Sequence, residues 1–166
     1  YQNGLFRTYA YPPLFNSANL SIRSFTSRGQ EKVIGSRDGL FYINEATGMV
    51  KSFVKPVLTS DLILTICFYQ GEYYIGTYGG GMMVLNPETL SLKYFAQGDT
   101  ELFQKGHIFC VKPDAKGNLW IGTSQGLFSY NGQTKQIKSF TSANSQLPEG
   151  NVYEVSFDST GKGWIA

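Results

Sequence analysis

Apolar residues fall in short runs that either alternate with polar residues or fill both alternating positions. No stretch keeps a spacing of three to four over ten or more residues, so the pattern predicts strands rather than helices. In the clearest stretch, residues 108–112, 119–123, 127–130 and 136–140 read as four strands. The segments Asp114-Ala115-Lys116-Gly117-Asn118 and Asn131-Gly132 between them read as turns. Residues 62–69 are apolar on both faces, as a strand pressed between two layers must be; one wall of a two-sheet sandwich would alternate.

The strand pattern repeats. One landmark is Val33-Ile34-Gly35-Ser36, Tyr74-Ile75-Gly76-Thr77, Trp120-Ile121-Gly122-Thr123 and Trp164-Ile165-Ala166, whose isoleucines lie 41, 46 and 44 positions apart. A second, a basic residue two positions before an aromatic, recurs at Arg7, Lys51, Lys93 and Lys138 with separations of 44, 42 and 45. A third, Gly39-Leu40-Phe41, Gly81-Met82-Met83 and Gly126-Leu127-Phe128, follows the first at nearly constant distance. Four short antiparallel strands in each period of this length describe a propeller blade. The predicted fold is all-β, a β-propeller segment of four-stranded antiparallel blades. Complete blades are expected at residues 20–53, 61–95 and 106–140, with complementary partial blades at the termini, 1–9 ending one and 150–166 starting another. The two fragments are expected either to combine into a fourth blade that closes a ring or to be capped by another chain. The chain begins in mid-hairpin without a leader and reads as a piece of something longer.

The units resemble the two-component regulator propeller repeat. The resemblance rests on Ile108, Val111, Asp114, Gly117, Leu119, Trp120, Ile121, Gly122, Thr123, Gly126 and Leu127, begun again by Val152, Val155, Asp158, Gly161, Trp164 and Ile165. The middle copy departs with Tyr69 in the Asp place and Tyr74 for Trp, and the earliest with Arg28 and Val33. The resemblance implies the periplasmic, extracytoplasmic sensor region of a hybrid two-component histidine kinase of Bacteroidetes, responding to a polysaccharide-derived oligosaccharide. It transfers no ligand, because the motif residues are structural, and it places kinase chemistry in other domains of the parent protein.

Composition narrows the chemistry. Charged residues make up 16% and aromatic residues 15% of the 166, and the net charge of +2 is spread thinly, which leaves no basic stripe for nucleic acid. The longest apolar run is far short of a membrane span, so no direct membrane contact is expected. Cys67 and Cys110 are open to a disulfide, two buried thiols or one of each; their apolar strand settings favour thiols.

No catalytic, metal or cofactor constellation stands out. Gly79-Gly80-Gly81 continues into a strand rather than the helix a phosphate loop needs. The turns at Asp114 and Asp158 lack the dense oxygen spacing of a calcium site and read as Asp capping its own turn. Trp120, Trp164 and Tyr74, at one repeat position, read as wedge-filling core rather than sugar platforms. His107 is the only histidine, with no nucleophile and acid placed beside it, and the loop acids Asp38, Asp61, Asp99, Glu101 and Glu149 indicate no glycosidase pair. Loops between second and third strands, and those entering each blade, should gather at one mouth, where function on a repeat scaffold is carried. Arg37, Asp38, Tyr78, His107 and Gln125 are the ligand-binding candidates there. The leading reading is a non-catalytic sensor segment with an oligosaccharide ligand. Its rivals are a structural module that docks on other blades or a second chain as a homodimer, and a polysaccharide lyase or hydrolase built on His107 or Arg37.

Overall fold

The computed structural model describes residues 21–95 and 100–166. Three four-stranded antiparallel sheets follow one another, each laid down in chain order. The first holds β1 (Ile22–Arg28), β2 (Glu31–Ser36), β3 (Leu40–Asn44) and β4 (Met49–Phe53); the second holds β5 (Ile63–Tyr69), β6 (Glu72–Thr77), β7 (Met82–Leu85) and β8 (Leu92–Tyr94). The third holds β9 (Ile108–Pro113), β10 (Asn118–Thr123), β11 (Gly126–Asn131) and β12 (Gln136–Phe140), and β13 (Val155–Phe157) with β14 (Gly163–Ile165) form a further pair. The first strands β1, β5 and β9 pack against one another in succession, and β13 packs on β9 and β10. Radially stacked blades around shared inner strands are the arrangement of a β-propeller. Residues 1–9, read above as the end of a blade, lie outside the described residues, and ring closure with them.

The core lies between blades rather than within any one sheet. Strands β6 and β7 are buried on both faces, and their period of two divides them between neighbours. Tyr73, Ile75, Met83 and Leu85 join Val33, Leu40, Tyr42 and Phe53 of the first blade. Tyr74, Met82 and Val84 join Ile108, Val111, Ile121 and Phe128 of the third. Between β8 and β9 a six-residue helix, α1 (Thr100–Lys105), stands where the sequence reads as loop. It is too short to print a helical period, and it inserts Leu102 and Phe103 into the seam, the Phe103 ring lying 5.0 Å from Phe95 and 5.5 Å from Phe128.

Each letter of the repeating Trp/Tyr-Ile-Gly-Thr landmark has a separate physical cause. Ile75 and Ile121 are fully buried in the seams. The glycine admits the next blade: a Cβ at Gly76 would lie 2.7 Å from the Ile108 Cγ2, and one at Gly35 would lie 2.4 Å from the Ile63 Cγ2. A Cβ at Gly122 would lie 2.5 Å from the Val152 carbonyl oxygen. The hydroxyl that follows caps the loop beyond, Thr77 Oγ1 donating to the Gly81 carbonyl at 2.9 Å and Thr123 Oγ1 to Gly126 at 2.9 Å. The indole binds the turn, Trp120 Nε1 donating to Asp114 Oδ2 at 2.9 Å. Asp114 Oδ1 also caps its own turn by accepting the N–H groups of Lys116 and Asn118.

The indole bond explains why the middle and earliest copies depart in both places together: a carboxylate without its indole, or the reverse, loses its partner. In the middle copy the Tyr69 and Tyr74 rings meet edge to face at 5.5 Å, and the Tyr69 hydroxyl reaches the third blade, donating to the Gly117 carbonyl at 2.7 Å and accepting the Gly132 N–H at 2.8 Å. In the earliest copy Arg28 lies 4.5 Å over the Phe68 ring of the next blade. Beside it, Glu31 accepts the hydroxyls of Tyr42 at 2.8 Å and Tyr73 at 2.9 Å, joining the first and second blades. Trp164, at the same repeat position as Trp120, differs from the core expectation: it is 58% exposed, with the Lys162 ammonium 4.4 Å over its ring. Trp120 itself is half-buried, stacked on Phe140 and tilted against Phe157.

Cys67 and Cys110 are buried free thiols on opposite sides of the third blade's seams, and burial pushes both up to about 11. Neither should react with iodoacetamide at pH 8 in the folded protein, and both should react in urea; labelling of the folded protein would contradict the packing. Gly76→Ala forces the second and third blades apart and should cost about 1–3 kcal/mol, as inserting a methyl into a close-packed core does, read as a lower urea midpoint. An unchanged midpoint would remove the glycine from the seam. Burial disfavours the charged form of Asp114, but the donors from Asn118, Trp120 and Lys116 outweigh it and hold its carboxyl below the usual value. That stabilisation is full above the unfolded pKa of about 3.9 and is lost as pH falls through the lower folded value. Asp114→Asn should therefore melt earlier at pH 7, with the gap closing below about pH 4; a gap constant over that range would refute the bond's role.

Candidate functional site

Antiparallel pairing of Ile22 with Ser36, Ile63 with Thr77 and Ile108 with Thr123 puts the start of every first strand beside the end of the second. The loops after β2, β6 and β10 and the segments entering β5, β9 and β13 therefore share one end of the blades. Backbone bonds tie them together: the Gly39 N–H donates to Asp61 at 2.9 Å, Gly81 to Gly106 at 2.9 Å, and Val152 to Thr123 at 2.9 Å. The buried Ser36, Thr77 and Thr123 hydroxyls hold these loops from beneath, so the rim is shaped before any ligand arrives.

Of the five candidates, the structure brings two into contact. Tyr78, 51% exposed, places its ring 4.0 Å from that of His107. Arg37 and Asp38 are exposed in the equivalent loop of the first blade, where the Asp38 N–H donates to Ser36 Oγ at 2.9 Å. Gln125 is exposed after β10 and lines a shallow depression with Ser142 and Glu149, apart from the two rings. Two residues that sequence reading missed extend the pair. The His107 ring is stacked toward Phe109 at 6.1 Å, and Phe109 lies 4.7 Å from Tyr153, which is 58% exposed. Tyr78, His107, Phe109 and Tyr153 thus form one row crossing the mouth from the second blade to β13. Asn151 donates to the Tyr153 hydroxyl at 2.6 Å.

Phe109 and Tyr153 reach this position by a bulge. Ile108 and Val111 are three residues apart yet enter the same seam, as do Ile63 with Ile66 and Val152 with Val155. A regular strand would turn such residues to opposite faces, so one extra residue must leave the ladder. Register shifts between Gly122 and Thr123 and between Ile63 and Thr65 mark it. Before β13 the N–H groups of Tyr153 and Glu154 both donate to the Ala166 carbonyl, at 2.7 and 3.2 Å. The apolar-x-x-apolar spacing in the sequence carries this signal, since an odd spacing within a two-sided strand requires a bulge.

The His107 Nδ1 is buried and has no hydrogen-bond partner among the described residues. Asp61 Oδ1 accepts the Lys55 N–H at 2.7 Å, and Glu154 pairs with Lys112 at 3.1 Å. No group of three or more potential metal ligands occurs among the described residues, and no described helix is long and apolar enough to cross a membrane.

Comparison with known proteins agrees with this architecture. The extracellular domain of a protein assigned as a hybrid two-component system of B. thetaiotaomicron superposes with a TM-score of 0.72 at 20% identity, over 87% of this chain and 19% of that one. A second such domain from the same organism gives 0.64 at 27% identity, with the same coverage. The WD40 β-propeller domain of Doa1 gives 0.63 at 14% identity, over 87% of this chain and 47% of that one. The chain therefore spans 19% of the length of the two bacterial domains. No curated protein matches it. The sequence model described as two component regulator propeller matches residues 103–125. Those residues, which run from α1 through β9 and β10 into the mouth loop, match the two-component regulator propeller repeat, and they are set in a β-propeller.

Proposed function

We propose that this propeller segment is a non-catalytic part of the periplasmic sensor region of a hybrid two-component histidine kinase, and that it binds a polysaccharide-derived oligosaccharide on the Tyr78–His107–Phe109–Tyr153 row. The row carries the proposal: sugar rings present apolar C–H faces that stack on aromatic rings, and these rings are held by strand and loop backbone rather than by side-chain chance. The likeness of the bacterial domains supports the sensor role.

Calorimetry and thermal shift against a panel of plant and host glycan oligosaccharides test this. At least one member should bind, and Tyr153→Ala, at an exposed position, should weaken it by about tenfold or more, the loss of one stacking contact of roughly 1–2 kcal/mol, without moving the melting temperature. No response across the panel would sink the reading. The second reading, a docking or dimerisation module, draws on exposed Trp164 and Ile165 of β14 and on the 420 Å3 cleft beside them, lined by Trp120 and Phe157. A solution mass that doubles with concentration would favour it, and a constant monomer mass would exclude the homodimer.

A further inference from the structure

The extra residue that leaves the ladder occurs in every blade. In β1 the register shifts between Ile22 and Ser24, so Arg23 holds the position that Leu64 holds in β5, Phe109 in β9 and Tyr153 before β13. Three of these positions are apolar or aromatic and one is a cation. Arg23 is exposed, and so is Arg37, whose N–H donates to the Ser21 carbonyl at 3.2 Å and so lies at the same end of the first blade. Neither arginine forms an ion pair with a described residue. Asp38 is the one carboxylate beside them in that loop, leaving two guanidinium groups against it, and Asp61 is turned to the Lys55 N–H. Four long cations of the described residues sit beside carboxylates, Arg28 with Glu31, Lys32 with Glu45, Lys93 with Glu72 and Lys112 with Glu154, and none of these pairs lies at the mouth end of the first blade. The mouth thus has aromatic faces on the side of the third blade and, on the side of the first, two guanidinium groups with no ion pair to a described residue.

We propose that the mouth takes an anionic oligosaccharide in one orientation, its sugar faces on the aromatic row and its carboxylate or sulfate groups toward Arg23 and Arg37. Guanidinium groups suit this chemistry, since their planar fork matches the two oxygens of a carboxylate or sulfate and stays charged at any working pH. A neutral glycan of the same shape gains only the stacking. The inference rests on the oligosaccharide reading above and adds charge and polarity to it.

A matched pair separates the two. Tetragalacturonate and its fully methyl-esterified form share their ring faces and differ in charge, and a heparin-derived tetrasaccharide supplies a sulfated arm. By calorimetry on the 166-residue chain, tetragalacturonate or the sulfated tetrasaccharide should bind at least tenfold more tightly than the methyl ester. Arg23→Gln and Arg37→Gln should each weaken the anionic ligand about tenfold, leave the ester unchanged and leave the melting temperature unchanged, since both side chains are exposed. Rising salt should weaken the anionic ligand alone. Preference for the sulfated arm over the uronate, with the same dependence on the arginines, supports the proposal and identifies sulfate as the group held. Equal affinity for the charged and esterified forms, lost with Tyr153→Ala but not with Arg23→Gln, would overturn this inference and keep the oligosaccharide reading. No binding in any arm overturns both.

Discussion

The structure depends on how closely one blade's first strand can approach the next sheet. Ile63, Ile108 and Val152 each rest on a glycine of the preceding second strand, at a separation that no side chain would permit. A second residue three positions on, Ile66, Val111 or Val155, must enter the same seam, and an extended strand cannot turn both inward without ejecting a residue between them. Close packing thereby generates the bulge, and the bulge generates the mouth. Phe109 and Tyr153 face the opening because Ile108 with Val111, and Val152 with Val155, do not.

Beneath the mouth, the Ser36, Thr77 and Thr123 hydroxyls donate to the Gly39, Gly81 and Gly126 carbonyls, adding to the backbone N–H groups of Ser36 and Thr77 that already donate to the first two. The loop backbone is held from below by a hydroxyl and from the side by the neighbouring blade's entry segment. Residues at the loop tips, Arg37, Asp38, Tyr78 and Gln125, contribute little to that support and are exposed or half-open. Loop support and exposed loop-tip chemistry thus fall on different side chains within a span of three positions, the arrangement expected where a rigid repeat carries variable loops.

Most of the fold was legible in the sequence because its determinants are local and repeated. The two-sided apolar run in β5 and the glycine-marked turns recur with their landmarks, and each recurrence reinforces the strand reading. The helix α1 was not legible: two buried residues, Leu102 and Phe103, are its whole signature, and a single turn shows no period. Half of the candidate aromatic row was legible. Tyr78 and His107 were found because loops between second and third strands were expected to meet entry segments. Phe109 and Tyr153 were hidden inside what read as strand and strand entry, since strand positions suggest packing, and only the odd spacing of their apolar neighbours reveals that they leave the ladder. Gln125 lies in the same class of loop but faces its own depression, a placement set by the path of residues 141–150 that composition does not encode.

The three described seams at the lower end are closed by different chemistry: two tyrosine hydroxyls on Glu31 between the first and second blades, one tyrosine hydroxyl bridging two backbone groups between the second and third, and the rings of Trp120 and Phe157 between the third blade and β13. Near-identical modules strung on one chain risk stacking out of order as they fold. Here a blade arriving beside the wrong neighbour would bring a hydroxyl to an indole or a carboxylate to a carbonyl. Unlike fasteners on like modules give the assembly a built-in sense of sequence, so the order of blades in space follows their order along the chain.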